Sequence, residues 1–211
     1  MVLFSLVSLL LLAYLLGSIP SAVWIGKSLY GIDVRDFGSG NAGATNTLRV
    51  LGKKAALPVL IMDILKGFAA VKLVWLSGEY LPETRQFLHF ELSLGIASLI
   101  GHIYPVFAGF RGGKGVATLF GILLAVHPGA ALICMGVFFT TLLLTQYVSV
   151  SSIMAAMVFP ISIMFIYHET IPGLNIFGLF VSALVLVTHQ KNIERLIRGE
   201  EGKTTLLQRH K

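Results

Sequence analysis

The sequence predicts an all-α integral membrane protein with seven transmembrane helices, some of them short or re-entrant. Three observations support this fold class. Of the 211 residues, 55% are hydrophobic and only 12% are charged, and the mean hydropathy is +0.83. Long apolar segments alternate with polar loops, and Lys and Arg are concentrated in every second loop. A soluble domain of this length would need far more polar surface.

Seven apolar segments could each cross a bilayer, for which a helix needs roughly 20 apolar residues. In chain order they lie near residues 2–24, 55–76, 92–107, 116–126, 129–145, 148–166 and 176–188. The fourth segment is short, and His127-Pro128-Gly129 predicts a tight turn before the fifth. If two short segments form a re-entrant hairpin, five spans remain and the termini keep their sides. We expect residues 1–211 to form a single transmembrane domain.

The distribution of basic residues predicts the orientation of the chain. Most of them fall on one side of the predicted topology: Lys27, Arg35, Arg49, Lys53, Lys54, Arg111, Lys114, Lys191, Arg195, Arg198, Lys203, Arg209 and Lys211. Arg85 lies on the other side, and Lys66 and Lys72 lie within the second span. Because basic loops stay in the cytoplasm, we expect an outside N-terminus and a cytoplasmic C-terminus. This topology explains the net charge of +6 without a nucleic-acid partner.

The first polar segment, residues 38–49, contains no bulky apolar side chain except that of Leu48. Small residues let the backbone approach a ligand closely, and the Ser, Thr and Asn side chains supply short hydrogen-bond donors. Arg49 closes the segment with a positive charge. This composition favours an anion such as phosphate as the ligand.

The second polar segment, residues 101–118, contains Gly112-Gly113-Lys114-Gly115 at the start of a predicted helix. Glycines allow backbone N–H groups to turn toward an anion, and a helix N-terminus adds partial positive charge to that of Lys114. The alternative is a flexible cytoplasmic loop with one basic residue. His102 could act as an acid or base near neutral pH, or it could cap a helix end by hydrogen bonding.

The third polar segment, residues 189–201, places His189, Asn192 and Arg195 at i, i+3 and i+6, which is one face of a helix. The alternative is a solvated, frayed end of the last helix. Glu200 could orient a cation or accept a hydrogen bond from a substrate hydroxyl, and an exposed acidic tail is the alternative. The predicted topology brings all three polar segments to the cytoplasmic interface.

Charged residues lie within the second predicted span, where an unpaired charge would be costly. Asp63 and Lys66, at i and i+3 in the second span, should pair with each other or line the site.

The sequence has no Gly-x-Ser-x-Gly elbow, no His-Glu-x-x-His motif and no Cys/His cluster, so a covalent serine enzyme and a metal site are poorly supported. Cys134 is the single cysteine, which excludes an internal disulfide.

The three polar segments resemble those of the bacterial membrane glycerol-3-phosphate acyltransferases that use acyl phosphate as donor (the PlsY family). In the first segment the resemblance rests on Gly38, Ser39, Gly40, Asn41, Gly43, Thr45, Asn46 and Arg49. In the second it rests on Gly101, His102, residues 105–107 and residues 112–118. In the third it rests on His189, Asn192, Arg195, Gly199 and Glu200. Asp63, Lys66 and Gly67 also fit, so the resemblance covers nearly the whole chain.

The resemblance implies transfer of a fatty acyl group from acyl phosphate to the 1-hydroxyl of glycerol 3-phosphate. The products would be lysophosphatidic acid and inorganic phosphate, in the first acylation step of phospholipid biosynthesis. The catalytic candidates are Ser39, Arg49, Lys114, His189, Asn192 and Glu200. The substrate-binding candidates are Gly38, Gly40, Asn41, Gly43, Thr45, Asn46, His102, Gly112, Gly113, Gly115, Thr118 and Arg195.

The same resemblance sets expectations about mechanism and location. Ser39 should contact phosphate rather than act as a nucleophile, because the acceptor hydroxyl can attack an acyl phosphate directly. The general base stays open between His189 and a phosphate oxygen of a substrate. We expect a multi-pass protein of the bacterial inner (cytoplasmic) membrane, with its site at the cytoplasmic face. Its partners would be the two substrates and membrane lipid, and no cofactor or metal is expected.

Two other classes of function could explain part of the sequence. An anion or phosphate transporter also explains a basic cytoplasmic vestibule, but it predicts polar residues through the membrane, whereas the span interiors are mostly apolar. A structural membrane scaffold explains the hydrophobicity but not three polar segments on one side. The sequence leaves the acyl-chain preference and the oligomeric state open.

Overall fold

The structure of the protein is a computed structural model that describes residues 2–204. It is 77% helical, and no strand occurs among the described residues. The chain divides into two compact units, an N-terminal unit, Met1–Pro128, and a C-terminal unit, Gly129–Lys211. The predicted all-α class is therefore confirmed, while the prediction of one domain over residues 1–211 stays a prediction.

The N-terminal unit contains the first six helices. They are α1 (Val2–Gly17), α2 (Ser21–Tyr30), α3 (Ala44–Leu51), α4 (Lys53–Lys72), α5 (Arg85–Ile103) and α6 (Val116–Val126). Short 3-10 turns precede α3, follow α4 and follow α5, at Val34–Asp36, Leu73–Leu76 and Val106–Ala108. The first polar segment lies in the loop before α3 and in α3 itself, and the second runs from the end of α5 to the start of α6.

The remaining helices belong to the C-terminal unit, where α7 begins at the unit boundary. They are α7 (Pro128–Thr145), α8 (Val148–Ile161), α9 (Pro172–Thr188) and α10 (Gln190–Ile197), and a π-helical turn, Ser162–Ile166, extends α8. The third polar segment forms α10 and the residues on either side of it. α6 ends at residue 126 and α7 begins at residue 128, so the predicted break at His127 is confirmed.

Three helices within residues 2–204 are long and apolar enough to cross a membrane, or five if each of two bent pairs counts as one span. The three are residues 85–108, α7, and α8 with its extension. The bent pairs are α1 with α2, at 43°, and α9 with α10, at 58°. The helix α6 is apolar but shorter. The count of seven spans and the sides of the termini therefore stay predictions.

The first predicted span, residues 2–24, is broken where the sequence reads Ser18-Ile19-Pro20. Proline has no N–H to continue the helical hydrogen bonds, and α1 ends at Gly17 while α2 begins at Ser21. The break exposes the carbonyl oxygen of Ile19, which accepts a hydrogen bond from Nζ of Lys66 at 2.8 Å. A side chain in the second predicted span thus satisfies the backbone of the first, as a membrane interior requires.

The helices α4 and α6 cross with their backbones in contact. A Cβ atom on Gly67 would overlap the carbonyl oxygen of Thr118, and one on Gly121 would overlap the carbonyl oxygen of Ile64. Small residues permit such close crossings, and van der Waals packing is a main source of helix association in lipid. The crossing fixes the start of α6, whose first residues, 116–118, are the end of the second polar segment.

This crossing predicts that Gly67→Ala destabilises the fold. The added methyl group has no space, and overpacking costs roughly 1–3 kcal/mol, so the purified protein in detergent should unfold at a lower temperature. Gly136→Ala in α7 is the matched control, because a Cβ atom there meets nothing within 4 Å. An unfolding temperature for Gly67→Ala equal to that of the wild type would contradict the close crossing.

Candidate functional site

The loop of the first polar segment is organised by the buried side chain of Asn46. Its Nδ2 donates to the carbonyl oxygens of Val34 at 2.7 Å and Phe37 at 3.2 Å. Its Oδ1 accepts from the backbone N–H of Ser39 at 2.8 Å and from the Ser39 hydroxyl at 3.1 Å. Because Asn46 is only 2% exposed and bonded on both sides, its predicted role as a direct substrate contact is not supported. It shapes the loop instead.

Several other predicted residues of this loop reach the surface of the N-terminal unit. The exposed ones are Gly38, Ser39, Gly40, Thr45 and Arg49, and Asn41 and Gly43 are half-buried. Arg49 lies in the last turn of α3. The exposed hydroxyl groups of Ser39 and Thr45 and the exposed guanidinium of Arg49 can meet an anion.

The glycine-rich loop before α6 differs from the sequence-based expectation. The N–H of Gly112 donates to the carbonyl oxygen of Ile103, and the N–H of Gly113 donates to that of His102, both at 3.2 Å. The prediction that these two amides face an anion is therefore wrong, because they hold the loop against the end of α5. Lys114 is half-buried between them and α6, where it adds its charge to the partial charge of the helix N-terminus.

The imidazole of His102 lies beneath this loop and is 6% exposed. Its Nδ1 lies 3.0 Å from Oγ1 of Thr118 and 3.7 Å from Oδ1 of Asp63. A Cβ atom on Gly113 would overlap Nε2 of the ring, which explains why glycine occupies that position. His102 and the fully buried Thr118 were predicted to bind substrate, but both are placed to support the loop from within.

Asp63 and Lys66 form the ion pair that their spacing predicts. Nζ of Lys66 lies 2.8 Å from Oδ1 of Asp63, and the two side chains are 5% and 2% exposed. Ser21 donates its hydroxyl hydrogen to the same Asp63 oxygen at 2.9 Å. The ion pair is therefore part of the interior of the N-terminal unit. It lies between the start of α2, the start of α6 and the end of α5.

In the C-terminal unit, His189 joins α9 to α10 and is 2% exposed. Its Nδ1 lies 2.8 Å from the carbonyl oxygen of Val185. A carbonyl oxygen can only accept, so this contact places the proton of a neutral imidazole on Nδ1 and makes Nε2 the basic nitrogen.

Glu201 is the carboxylate that organises the third polar segment. Asn192 donates Nδ2–H to its Oε1 at 2.6 Å, Arg195 donates Nε–H to its Oε2 at 2.7 Å, and Ser149 donates its hydroxyl hydrogen to Oε1 at 2.9 Å. Burial acts to raise the pKa of Glu201, but these hydrogen bonds outweigh burial and hold the pKa below its ordinary value.

The prediction for Glu200 is corrected by this arrangement. Glu200 is exposed, whereas the Glu201 side chain is 7% exposed. Gly199 adopts φ of 72° and turns the chain after α10, so helical spacing does not carry past it. Arg195, predicted to bind substrate, is paired with Glu201. Ser149 was missed, because nothing local in the sequence connects it with a carboxylate 52 residues later.

The residues after Glu201 lie against the turn between α7 and α8. The backbone N–H of Thr204 donates to the carbonyl oxygen of Gln146 at 2.8 Å, and Nζ of Lys203 lies 5.6 Å from the ring centroid of Tyr147. These contacts hold Glu201 in place. The predicted cytoplasmic residues Arg209 and Lys211 lie outside the described residues.

Comparison with known proteins shows the class to which this helical fold and its polar loops belong. A sequence profile described as glycerol-3-phosphate acyltransferase matches residues 7–199. The glycerol-3-phosphate acyltransferase of Chlorobium luteolum is 42% identical over 230 residues, which cover 95% of this chain and 97% of the relative. That of Chlorobium phaeobacteroides (strain DSM 266) is 41% identical over 227 residues, covering 94% and 96%.

Two solved structures share the fold. A crystal structure of PlsY, described as an integral membrane glycerol 3-phosphate acyltransferase in its glycerol 3-phosphate form, matches with a TM-score of 0.85 and 38% identity. The lysophosphatidic acid form matches with a TM-score of 0.81 and 37% identity, and both matches cover 96% of this chain and 97% of the other. The chain is thus an all-helical integral membrane protein. It belongs to the glycerol-3-phosphate acyltransferase family.

The lowered pKa of Glu201 gives a testable pH dependence. A carboxyl whose pKa is lower in the folded protein stabilises the fold above its unfolded pKa of about 4.3, and the contribution is lost as the pH falls through the folded pKa. Glu201→Gln should therefore unfold at a lower temperature than the wild type near pH 7, and the difference should shrink below about pH 4. Thermal unfolding in detergent at several pH values measures this.

Glu200→Gln is the matched control, because the neighbouring carboxylate is exposed. It should unfold at nearly the temperature of the wild type at each pH. Two results would argue against the hydrogen-bond network around Glu201. One is an equal fall in unfolding temperature for both variants, and the other is a fall for Glu201→Gln that does not change with pH.

Proposed function

We propose that this protein transfers a fatty acyl group from acyl phosphate to the 1-hydroxyl of glycerol 3-phosphate and releases lysophosphatidic acid and inorganic phosphate. The observation that carries the proposal is the pair of similar crystal structures, one in a glycerol 3-phosphate form and one in a lysophosphatidic acid form. These two molecules are the acceptor and the product of one acylation. The matched family region, residues 7–199, also contains Ser39, Arg49 and Lys114.

The chemistry asks for no covalent enzyme intermediate. The acceptor hydroxyl oxygen attacks the carbonyl carbon of the acyl phosphate, an ester C–O bond forms, and the C–O bond to phosphate breaks. Phosphate leaves with the bonding electron pair, and the hydroxyl proton passes to a base. The protein then contributes positioning and charge stabilisation.

The surroundings of Ser39 support direct attack. Its hydroxyl donates to Oδ1 of Asn46 at 3.1 Å, and a carboxamide oxygen is not a base that could activate a serine nucleophile. The exposed Ser39 hydroxyl can turn its hydrogen from Asn46 to a phosphate oxygen, because the backbone N–H of Ser39 still donates to Oδ1 of Asn46. We assign Ser39, Asn41 and Thr45 to the acyl phosphate.

The negative charge of the substrates requires cations. Arg49 is exposed at the end of α3, and Lys114 precedes the N-terminus of α6. We assign both to phosphate groups of the substrates, where charge-assisted hydrogen bonds are about twice as strong as neutral ones.

In the C-terminal unit we assign His189 and Asn192 to the acceptor, with Glu201 in place of Glu200 as the supporting carboxylate. Nε2 of His189 is one candidate base, since Nδ1 is bonded to the carbonyl oxygen of Val185. A phosphate oxygen of a substrate is the other candidate.

The proposed location is the bacterial inner membrane, with the reaction at the cytoplasmic face. Soluble glycerol 3-phosphate is available there, and the acyl chain stays in the lipid. Each buried CH2 group of that chain contributes about 0.8 kcal/mol to membrane binding.

The deciding experiment compares three donors with the purified wild-type protein and glycerol 3-phosphate. Acyl phosphate should give lysophosphatidic acid and inorganic phosphate, whereas acyl-CoA and the acyl carrier protein thioester should give no product. Transfer from the thioesters alone would overturn the donor assignment. No product from any donor, together with phosphate flux in protein-loaded vesicles, would favour the transporter instead.

Lys114→Ala should lower kcat/KM by roughly 10²- to 10³-fold, because it removes a cation aimed at phosphate charge. The unfolding temperature should stay near that of the wild type. Lys54→Ala is the matched control, since Lys54 is an exposed cation at the start of α4, and it should retain activity. If Lys114→Ala turned over as fast as the wild type, Lys114 would have no place in the reaction.

A further inference from the structure

The guanidinium of Arg35 is held in a fixed orientation by the carboxylate of Asp33. Nε donates to Oδ1 at 3.0 Å and Nη2 donates to Oδ2 at 2.7 Å, so the pair is bidentate. Oδ1 also accepts the backbone N–H of Arg35 at 3.0 Å. Both side chains are 12% exposed. These contacts aim the remaining nitrogen of Arg35, Nη1, in one direction.

Nη1 of Arg35 contacts the second polar segment, residues 101–118. Nη1 donates to the carbonyl oxygen of Ala108 at 2.7 Å and to that of Arg111 at 3.1 Å. The acceptors are 73 and 76 residues away in the chain. Arg111 immediately precedes the glycine-rich loop, Gly112–Gly115, that carries Lys114.

The backbone beside Arg35 is tied equally closely to Ser39. The carbonyl oxygen of Val34 accepts Nδ2 of Asn46 at 2.7 Å, and Oδ1 of the same Asn46 accepts the N–H of Ser39 at 2.8 Å. Hydrogen bonds thus run from Ser39 through Asn46 to Val34, and from the adjacent Arg35 to the carbonyls of Ala108 and Arg111.

We propose that Arg35 is a positioning residue that fixes the Ser39 loop against the loop carrying Lys114. The proposal rests on the proposed function, in which Ser39 and Lys114 contact the phosphate groups of the substrates. Arg35 touches no substrate in this role. It sets the separation of two groups that do, and an error of 1 Å in such a separation can cost about 10²-fold in rate.

The ionisation of Asp33 and Arg35 agrees with a structural role for Arg35 between the two loops. Hydrogen bonding to Arg35 holds the pKa of Asp33 well below its ordinary value, and hydrogen bonding to Asp33 raises the pKa of Arg35. Both groups are therefore ionised at neutral pH, and the carboxylate neutralises the guanidinium. A planar fork that meets a carboxylate on one side and two carbonyls on the other is a geometry that arginine has and lysine lacks.

Lys27 provides the matched control within the same cluster. Its Nζ also lies near Asp33, 3.3 Å from Oδ2, but its side chain is 59% exposed. Loss of Lys27 removes a similar charge from the same carboxylate and leaves the bonds from Arg35 to Ala108 and Arg111 in place.

The first test is activity with acyl phosphate and glycerol 3-phosphate. Arg35→Ala should lower kcat/KM roughly 10- to 100-fold, and guanidinium at concentrations that leave the wild type unaffected should restore part of it. Arg35→Lys should keep the unfolding temperature of the wild type but not its activity, and Lys27→Ala should behave as the wild type. Full activity of Arg35→Lys, or no rescue of a folded Arg35→Ala, would overturn the proposal.

The second test does not depend on turnover. Hydrogen exchange followed by mass spectrometry should show faster exchange in residues 37–43 and 108–115 of Arg35→Lys than of Lys27→Ala. Unchanged exchange in both segments of Arg35→Lys would overturn the proposal that Arg35 joins the two loops. If the wild type transfers no acyl group from any donor, the proposed function fails, and this exchange measurement still decides whether Arg35 joins the two loops.

Discussion

The buried ion pair of Asp63 and Lys66 is the interaction on which the N-terminal unit depends. A single charge inside a membrane protein is costly, and removing one partner of a buried pair typically costs about 3–5 kcal/mol. Here the hydroxyl of Ser21 and the carbonyl oxygen of Ile19 complete the pair, and His102 lies 3.7 Å from the carboxylate. One polar cluster thereby connects the α1–α2 break and α2 with the helices α4 and α5, and through Thr118 with the start of α6.

The arginine side chains differ in whether a carboxylate neutralises them. Asp33 neutralises Arg35, and Glu201 neutralises Arg195, so these guanidinium groups hold structure together. Arg49 belongs to the other group, since it is exposed and takes part in none of the ion pairs found within residues 2–204. A charge without a partner is available to a ligand, and the proposed phosphate contact of Arg49 uses this difference.

The sequence predicted the helices well where apolar composition alone decides them. The segment 116–126 is the helix α6, and 129–145 and 148–166 differ from α7 and from α8 with its extension by at most one residue. The roles of polar residues were harder to predict, because each depends on a distant partner. His102 meets Asp63 and Thr118, Asn46 meets Val34, and Glu201 meets Ser149. Neither spacing nor composition encodes these contacts.

The position of Glu201 in the chain has a consequence for the order of synthesis. Glu201 follows α10, so the ribosome adds it after the ten α-helices found within residues 2–204 have been made. A chain released before this residue would contain every one of these helices, yet Asn192 and Arg195 would lack the carboxylate that orients them. Under the proposed roles, such a truncated product would enter the membrane as an inactive protein. Synthesis would thus have to pass Glu201 before the proposed catalysis could begin.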